Sequence, residues 1–448
     1  MTSATPTVVP QNGLGWEMDD WSGPQPIWTV EPNTAIIAKI VRRELALSED
    51  ATCEVSFLAE GSLNKVYAIQ CDGSCNYIMR ATLPVQPRLK TMSEIATVSF
   101  VSTHTDIPTP KIFAVDHSNK NELGFEWMMM ERVAGHPIEM PGDWSKVNWL
   151  KKEVLVRKII SYMVQLFQKR FKQIGSLYII DDLQQLPKSE RPSTAPVTSA
   201  TPEGIGNSKE YHLSDIISVP FFYIDHLTHD VPRGTFHHSR DWLAARLQFH
   251  INDANNIPQD ADEDTIAIKK CTKLNAERLL KILTKVLPTN EPDEEFVLHH
   301  HNLSSRNILM DDSDDLAGVV DWERVHTVPL WYACQLPKFL NGNHLEHCPE
   351  PDTYGKTTNE DGTEEINEGF WRHLQDYEKT RLRAFFFEQM ERECPEWVKI
   401  HNESKLKVDF ELAVEFCPFE LGHQMVTDWL DEIESGKEPS SLKDACRG

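Results

Sequence analysis

The segment Phe296 to Glu323, FVLHHHNLSSRNILMDDSDDLAGVVDWE, limits the fold more than any other part of the chain. Its pattern predicts a short strand, a polar loop, a second strand over Asn307 to Met310, an acidic turn and a third strand ending at Asp321. A hairpin of that kind gathers His300, Asn302, Asn307 and Asp321 at its polar entrance. Asn307 and Asp321 supply hard oxygen donors, the ligand type that magnesium takes. An ordinary β-hairpin with a polar entrance is the alternative reading of the same residues.

Phosphoryl transfer from ATP needs charge neutralisation and in-line positioning more than covalent help. A loop of the form H-x-D-x-x-x-x-N followed by a hairpin and a second aspartate provides both. Here the histidine is His300, the asparagine is Asn307 and the later aspartate is Asp321. The general-base position is Asn302. A carboxamide can hydrogen-bond a hydroxyl but cannot accept its proton at neutral pH. Losing a general base costs on the order of 10² to 10⁴ in rate. A loose transition state depends less on early deprotonation than on positioning, which reduces that cost. His301 is a conceivable substitute base, although strand alternation turns it the other way.

The residues upstream follow a matching order. Val55 to Leu58 and Lys65 to Ile69 predict two strands around a tip, Ala59 to Asn64, that holds a single glycine, Gly61. The next strand, Asn76 to Ala81, carries Arg80. The spacing of Met92, Ile95, Val98 and Val101 then predicts a helix with Glu94 off its apolar stripe. A strand cation followed by a helix glutamate is the ion pair that orients nucleotide phosphates in kinase folds; taken bare, both residues read as solvated surface charges. An apolar strand, Met128 to Glu131, comes before the hairpin segment.

In that order the phrases EGSLNKVYAI, YIMRATLPV, SEIATVSFVSTHTDIPTPKIFAVD, MMMERVAGHPI, IGSLY, VPRGTF with DWLAARL, LHHHNLSSRNIL, GVVDWE and PLWYACQLPKFL resemble the aminoglycoside phosphotransferase-like family, in its fungal branch of kinase-like proteins. The resemblance spans about residues 55 to 340. It implies an α+β, protein-kinase-like fold of two lobes: a small antiparallel β-sheet lobe with one key helix, and a larger, mainly helical lobe. It also implies roles. Glu60, Gly61, Ser62 and Asn64 would cover the nucleotide phosphates. Arg80 would hold the α- and β-phosphates and pair with Glu94. Glu131 would open the hinge beside the adenine, and Asn307 and Asp321 would bind Mg2+. The implied activity is ATP- and magnesium-dependent phosphoryl transfer to a hydroxyl of an unidentified small molecule. The alternative is a pseudokinase, a nucleotide-binding regulator or scaffold with little turnover. A protein kinase is disfavoured: there is no D-F-G or A-P-E phrase, and Asp321 lies too close to Pro329 for a long activation loop.

With 69 acidic against 45 basic residues the net charge is −24, which argues against nucleic acid or an anionic membrane as partner. No stretch approaches the roughly 20 apolar residues that span a bilayer. The amino-terminal stretch lacks the basic or apolar character of a targeting segment, so the expected location is the cytoplasm. Nine scattered cysteines predict reduced thiols. His299 to His301 does not predict a zinc site, because successive strand residues face opposite ways.

The expected organisation is an arm over 1–27, with Trp16 and Trp21 as docking residues, a small nucleotide-binding lobe over 28–134, and a larger lobe over 135–448. Helices are predicted over Thr34 to Ala46, Trp144 to Phe171, Ser239 to Asn252, Ile266 to Val286 and Ile366 to Glu393. Residues 187–209, rich in Ser, Thr, Pro and Gly, predict a flexible insertion. Asn341 to Glu365 predicts an irregular polar loop, either solvated or contributing acidic residues to an acceptor site.

Overall fold

A computed structural model describes residues 11–19, 23–72, 75–138, 141–187, 190–192, 211–288, 294–358 and 364–445. The chain begins with a hairpin, β1 (Leu14–Asp19) and β2 (Gly23–Trp28), where only an arm was expected. Its alternating prolines, Pro24 and Pro26, hide the strand signal, and a two-stranded ribbon tolerates them because each strand has a free edge. Trp16 packs edge-on to Tyr223 at 5.6 Å. Trp21 and most of the 187–209 insertion lie outside the described residues.

Next come α1 (Thr34–Glu44), β3 (Cys53–Glu60), β4 (Asn64–Cys71), β5 (Cys75–Thr82), α2 (Leu89–His104), β6 (Ile112–Asp116) and β7 (Glu126–Glu131). The five strands form one antiparallel sheet in the order β3-β4-β5-β7-β6. Helix α1 starts at Asn33, whose side chain accepts from the Ala35 and Ile36 amides, and it buries Ile37, Ile40 and Val41 against Tyr67, Met79 and Trp127.

Helix α2 has no capping side chain of its own. Arg88, at its start, has φ +64°, and the Arg88 amide and the Thr91 hydroxyl both donate to the Glu126 carboxyl of β7. The helix is buried on nearly every face. Ala96, Val98, Phe100 and Val101 belong to the same core cluster as Leu243, Leu279 and Phe410 of the larger lobe. It ends where the Thr105 hydroxyl takes the Val101 carbonyl, ahead of Pro108 and Pro110.

The larger lobe contains β8 (His136–Pro137), α3 (Pro141–Lys146), α4 (Trp149–Phe167), β9 (Arg170–Phe171), β10 (Ser176–Ile179), α5 (Ile180–Gln185), β11 (Tyr211–Ser214), α6 (Val219–Phe222), α7 (Ser239–Asn255) and α8 (Glu263–Val286). After these come β12 (Phe296–His299), β13 (Ile308–Met310), β14 (Leu316–Val319), β15 (His326–Pro329), α9 (Leu330–Ala333), β16 (Lys356–Thr358), β17 (Glu364–Ile366), α10 (Glu368–Glu393), α11 (Pro395–Glu403), α12 (Lys405–Phe416), α13 (Glu420–Glu434) and α14 (Leu442–Ala445). The architecture is a mixed α+β, kinase-like arrangement of a small antiparallel sheet lobe on a mainly helical lobe.

Two expectations shift. The helix foreseen over 144–171 is divided, because the Asn148 side chain caps a new start by accepting from the Leu150 amide, and Arg170–Phe171 joins β12 as a strand. The loop over 341–365 holds the β16–β17 pairing. The Asp376 carboxylate of α10 ties the loop down by accepting from the Asn343 backbone and side chain. The helix foreseen up to Glu393 ends there, and Pro395 opens α11 as its first residue. No helix among the described residues is long and apolar enough to cross a membrane.

Candidate active site

The β13–β14 hairpin pairs Ile308 with Val319 and Leu309 with Gly318, which leaves Asn307 and Asp321 side by side at its open end. The Asn307 amide nitrogen donates to the Asn302 carbonyl at 2.8 Å and reaches Asp321 Oδ2 at 3.3 Å. Asn302 Nδ2 donates to that same oxygen at 3.2 Å. One carboxylate oxygen is therefore met by two neutral amides.

Asp321 has φ +66°, a left-handed conformation that costs a non-glycine residue of order 1 kcal/mol or more and is held only when its surroundings over-determine it. They do so here. The Val320 amide donates to the Asn307 carbonyl at 3.0 Å, and His300 Nε2 donates to the Val320 carbonyl at 3.0 Å. The Trp322 indole donates to the Val319 carbonyl at 2.9 Å and packs edge-on to His300 at 4.7 Å. Burial holds His300 below the ordinary histidine range, so its ring is neutral with the proton on Nε2. Burial, then His326 and Arg324, keeps His301 well below its ordinary value, and its ring lies toward His326 at 6.1 Å, away from the reacting side.

Arg80 and Glu94 form a buried ion pair, Nη2 to Oε2, not the solvated charges of the bare reading. Burial works against the Arg80 charge, but Glu94, then Glu323 and Asp321, raise the guanidinium above its ordinary value. A second buried pair was not foreseen. Lys90 Nζ of α2 lies 2.6 Å from Glu323 Oε2, both side chains at least 95% hidden. Asn64 joins them, donating to Glu323 Oε2 at 2.7 Å while accepting from Thr82 at 2.8 Å and from Lys90 at 3.4 Å. Against its burial, Lys90, Arg324 and Arg80 hold the Glu323 carboxyl well below the usual range.

The Asn64 carboxamide is thus turned into the seam between the lobes and is not free to cover a phosphate. Glu60, Gly61 and Ser62 are exposed at the β3–β4 tip, closed by the Gly61 amide on the Asn64 carbonyl at 2.9 Å. Leu63 is buried and pins that tip against Leu83 and Met92. Glu131 ends β7 at the hinge. Its amide is engaged by the Lys111 carbonyl at 2.8 Å, and the Arg132 amide by the Asn76 carbonyl at 3.3 Å, so neither amide is free for a base contact.

The donor set fits magnesium. Asp321 offers a carboxylate, and with its Nδ2 on the Asn302 carbonyl, Asn307 keeps Oδ1 as a second oxygen. One or two protein oxygens, completed by phosphates and water, is the usual magnesium arrangement. Arg80 pairs with Glu94, and Lys90 and Arg324 both pair with Glu323, whereas Asp321 has neutral amides as its hydrogen-bond partners and its charge is open to a cation. A cavity of about 350 Å³ lies behind the loop, between α4 and α12, lined by His299, His301, Leu303, Tyr332, Glu411 and Glu415 among others. Asn302, Asn307 and Asp321 do not line it, so it is separate from this centre.

The model of the phosphotransferase enzyme family matches residues 54–332. A subtelomeric hrmA-associated cluster protein of Aspergillus fumigatus is 29% identical over 158 residues, covering 34% of this chain and 31% of that protein. An altered inheritance of mitochondria protein 9 of Kluyveromyces lactis is 22% identical over 288 residues, covering 59% of this chain and 46% of that protein. The chain thus spans from about a third to just under half of these relatives' length. Among solved structures, the GDP complex of wild-type aminoglycoside 2'-phosphotransferase-IIIa has a TM-score of 0.42 at 13% identity, covering 91% of this chain and 94% of that one. A Plasmodium vivax ethanolamine kinase has a TM-score of 0.37 at 14% identity, covering 89% of each.

Proposed function

Because this chain belongs to the phosphotransferase enzyme family, we propose that it transfers a phosphoryl group from magnesium-bound ATP to a hydroxyl of a small molecule. The observation that carries the proposal is the cluster of Asn302, Asn307 and Asp321 at the mouth of the hairpin, facing the Arg80–Glu94 pair. Asp321 and Asn307 would hold the magnesium ion, which supplies charge neutralisation on the phosphates. Arg80, fixed by Glu94, would bind phosphate oxygens through its fork of donors. Asn302 would orient the acceptor hydroxyl without taking its proton, so transfer relies on positioning.

A second reading has its own support. Asn302 donates to Asp321 and so fills the place of a base with a neutral partner for the metal-binding carboxylate, as expected of a pseudokinase that binds nucleotide with little turnover. The net charge of −24 argues against nucleic acid or an anionic membrane as partner. The cytoplasm is the proposed location, although the yeast relatives carry the word mitochondrial in their names.

The test is calorimetry with Mg-ATP and Mg-GTP beside slow nucleotide turnover, on the unaltered chain and on Asp321→Ala. Magnesium-dependent binding is expected in the first and a loss of at least about tenfold in the second. Turnover in the unaltered chain that Asp321→Ala abolishes selects the enzyme, and binding without turnover selects the pseudokinase. Absence of nucleotide binding in the unaltered chain would overturn both.

A further inference from the structure

Far along the chain from the hairpin centre, a second cluster has the chemistry of a metal site. A 3-10 turn, His226–Thr228, is followed by His229, and both imidazoles lie near Asp253 towards the end of α7. One ligating atom from each residue lies within 4.8 Å of the other two, and no other histidine, cysteine or carboxylate trio among the described residues does this.

The hydrogen bonds of the two rings decide what can sit between them. His226 Nδ1 lies 2.6 Å from the Pro220 carbonyl, a contact that requires a ring N–H. His226 Nε2 lies 3.0 and 3.2 Å from the two Asp253 oxygens. A neutral imidazole has one N–H, so with Nδ1 donating, Nε2 turns a lone pair toward a carboxylate. A cation between them resolves that conflict. The other resolution is one more proton, on the ring or on the carboxyl.

His229 repeats the arrangement. Its Nε2 is 3.5 Å from Asp225 Oδ1, while its buried Nδ1 has no hydrogen-bond partner. A carbonyl behind one ring and a carboxylate behind the other are the outer partners that ligating histidines take. The His226 ring is 3% exposed and stacks on Phe249 at 4.3 Å and 7°, which fixes its orientation before any ion arrives. Ligands about 2.0 Å from a tetrahedral zinc stand about 3.3 Å apart, close to the His226–Asp253 separations, while the His229 atom lies within 4.8 Å of both. The neighbouring cations are held by main-chain oxygens: Arg233 Nη2 by the His226, Leu227 and His229 carbonyls, and Lys269 Nζ by the Asp253 carbonyl. Asp225, Asp230 and Asp253 outnumber them.

We propose that His226, His229 and Asp253 bind one zinc-type divalent cation, with water completing its shell. Two imidazole nitrogens and one carboxylate oxygen suit zinc better than magnesium or calcium. The ion would clamp the 219–234 segment to the end of α7, as a structural tie within the larger lobe.

The full chain, stripped with a chelator, is titrated with zinc sulfate by calorimetry and with cobalt chloride by visible absorption. One ion per chain and a rise in melting temperature are expected. His229→Gln and Asp253→Asn alter partly exposed side chains, and their metal-free melting temperatures show whether the fold is kept. Each is expected to weaken zinc by more than the roughly 10- to 100-fold that losing an outer partner costs. No uptake at micromolar zinc would overturn the proposal and leave His226 and Asp253 as a plain ion pair. Uptake that survives both substitutions would overturn it equally, by placing the ion elsewhere.

Discussion

Asn302→Asp inverts the chemistry of the hairpin mouth. In the unaltered chain an amide N–H of Asn302 stands 3.2 Å from Asp321 Oδ2. The substitution removes a hydrogen bond to a charged group, about 1.5 to 3 kcal/mol, and sets two carboxylates at nearly that separation. At an effective dielectric of about 20, like charges so close repel by about 5 kcal/mol. The new side chain can rotate toward water and relieve part of this, so a net loss of about 2 to 4 kcal/mol is expected in metal-free buffer. A magnesium ion bridging the two carboxylates reverses the sign of their interaction. Melting temperatures in EDTA and in saturating Mg-ATP, for both chains, measure the effect directly. The variant should melt lower in EDTA, regain most of the difference with Mg-ATP, and bind magnesium more tightly. If positioning alone limits the unaltered chain, its turnover rises little; if a missing base limits it, turnover rises by about 10² to 10⁴. A variant as stable as the parent in EDTA, or one whose deficit is the same with and without magnesium, would refute this account of Asn302.

Lys90→Met should cost up to about 3 to 5 kcal/mol, because it leaves Glu323 buried with only Arg324, at 3.5 Å, as an ion-pair partner, whereas Lys90→Met with Glu323→Leu should recover much of that in chemical denaturation. Equal losses in the single and double variants would count against the pairing. Burial lifts the Glu126 carboxyl to about 7 despite the hydrogen bonds from Thr91 and Arg88. The folded chain therefore holds this proton above the pH at which the unfolded chain releases it. The resulting stability, roughly 3 kcal/mol, is fully present below about 4.5 and is lost as pH rises to about 7. Glu126→Gln should flatten that fall in melting temperature between pH 5 and 7.5, and an unchanged slope would contradict it.

The parts of the site legible in the sequence were those fixed by local order. The hairpin that juxtaposes Asn307 and Asp321 is written in its own strands and turn, and the strand cation and helix glutamate, Arg80 and Glu94, stand 14 residues apart on adjoining elements. Pairings across the chain left no such mark. Lys90 meets Glu323 across 233 positions, and nothing in the first turn of an amphipathic pattern sets one lysine apart from another. Asn64 was read by its neighbours as a phosphate cover, but the burial of Leu63 turns it inward. The break at Asn148 carries an ordinary capping signal that the apolar periodicity around it masked. His226-Leu-Thr-His229 was a readable spacing; its carboxylate, Asp253, comes from another helix and was not.

The immersion of α2 bears on how a chain of this shape can be controlled. Swinging that helix outward would separate Glu94 from Arg80 and so disable the proposed phosphate-binding end. Here the movement would also expose Val98, Phe100 and Val101, at about 2 kcal/mol for each, and break the Lys90–Glu323 tie. The helix is in effect a keyed shaft between the lobes. Control of the proposed centre would then fall to parts that are not keyed, the exposed β3–β4 tip and any cation bound at Asp321, so that occupancy and not helix posture would set its state.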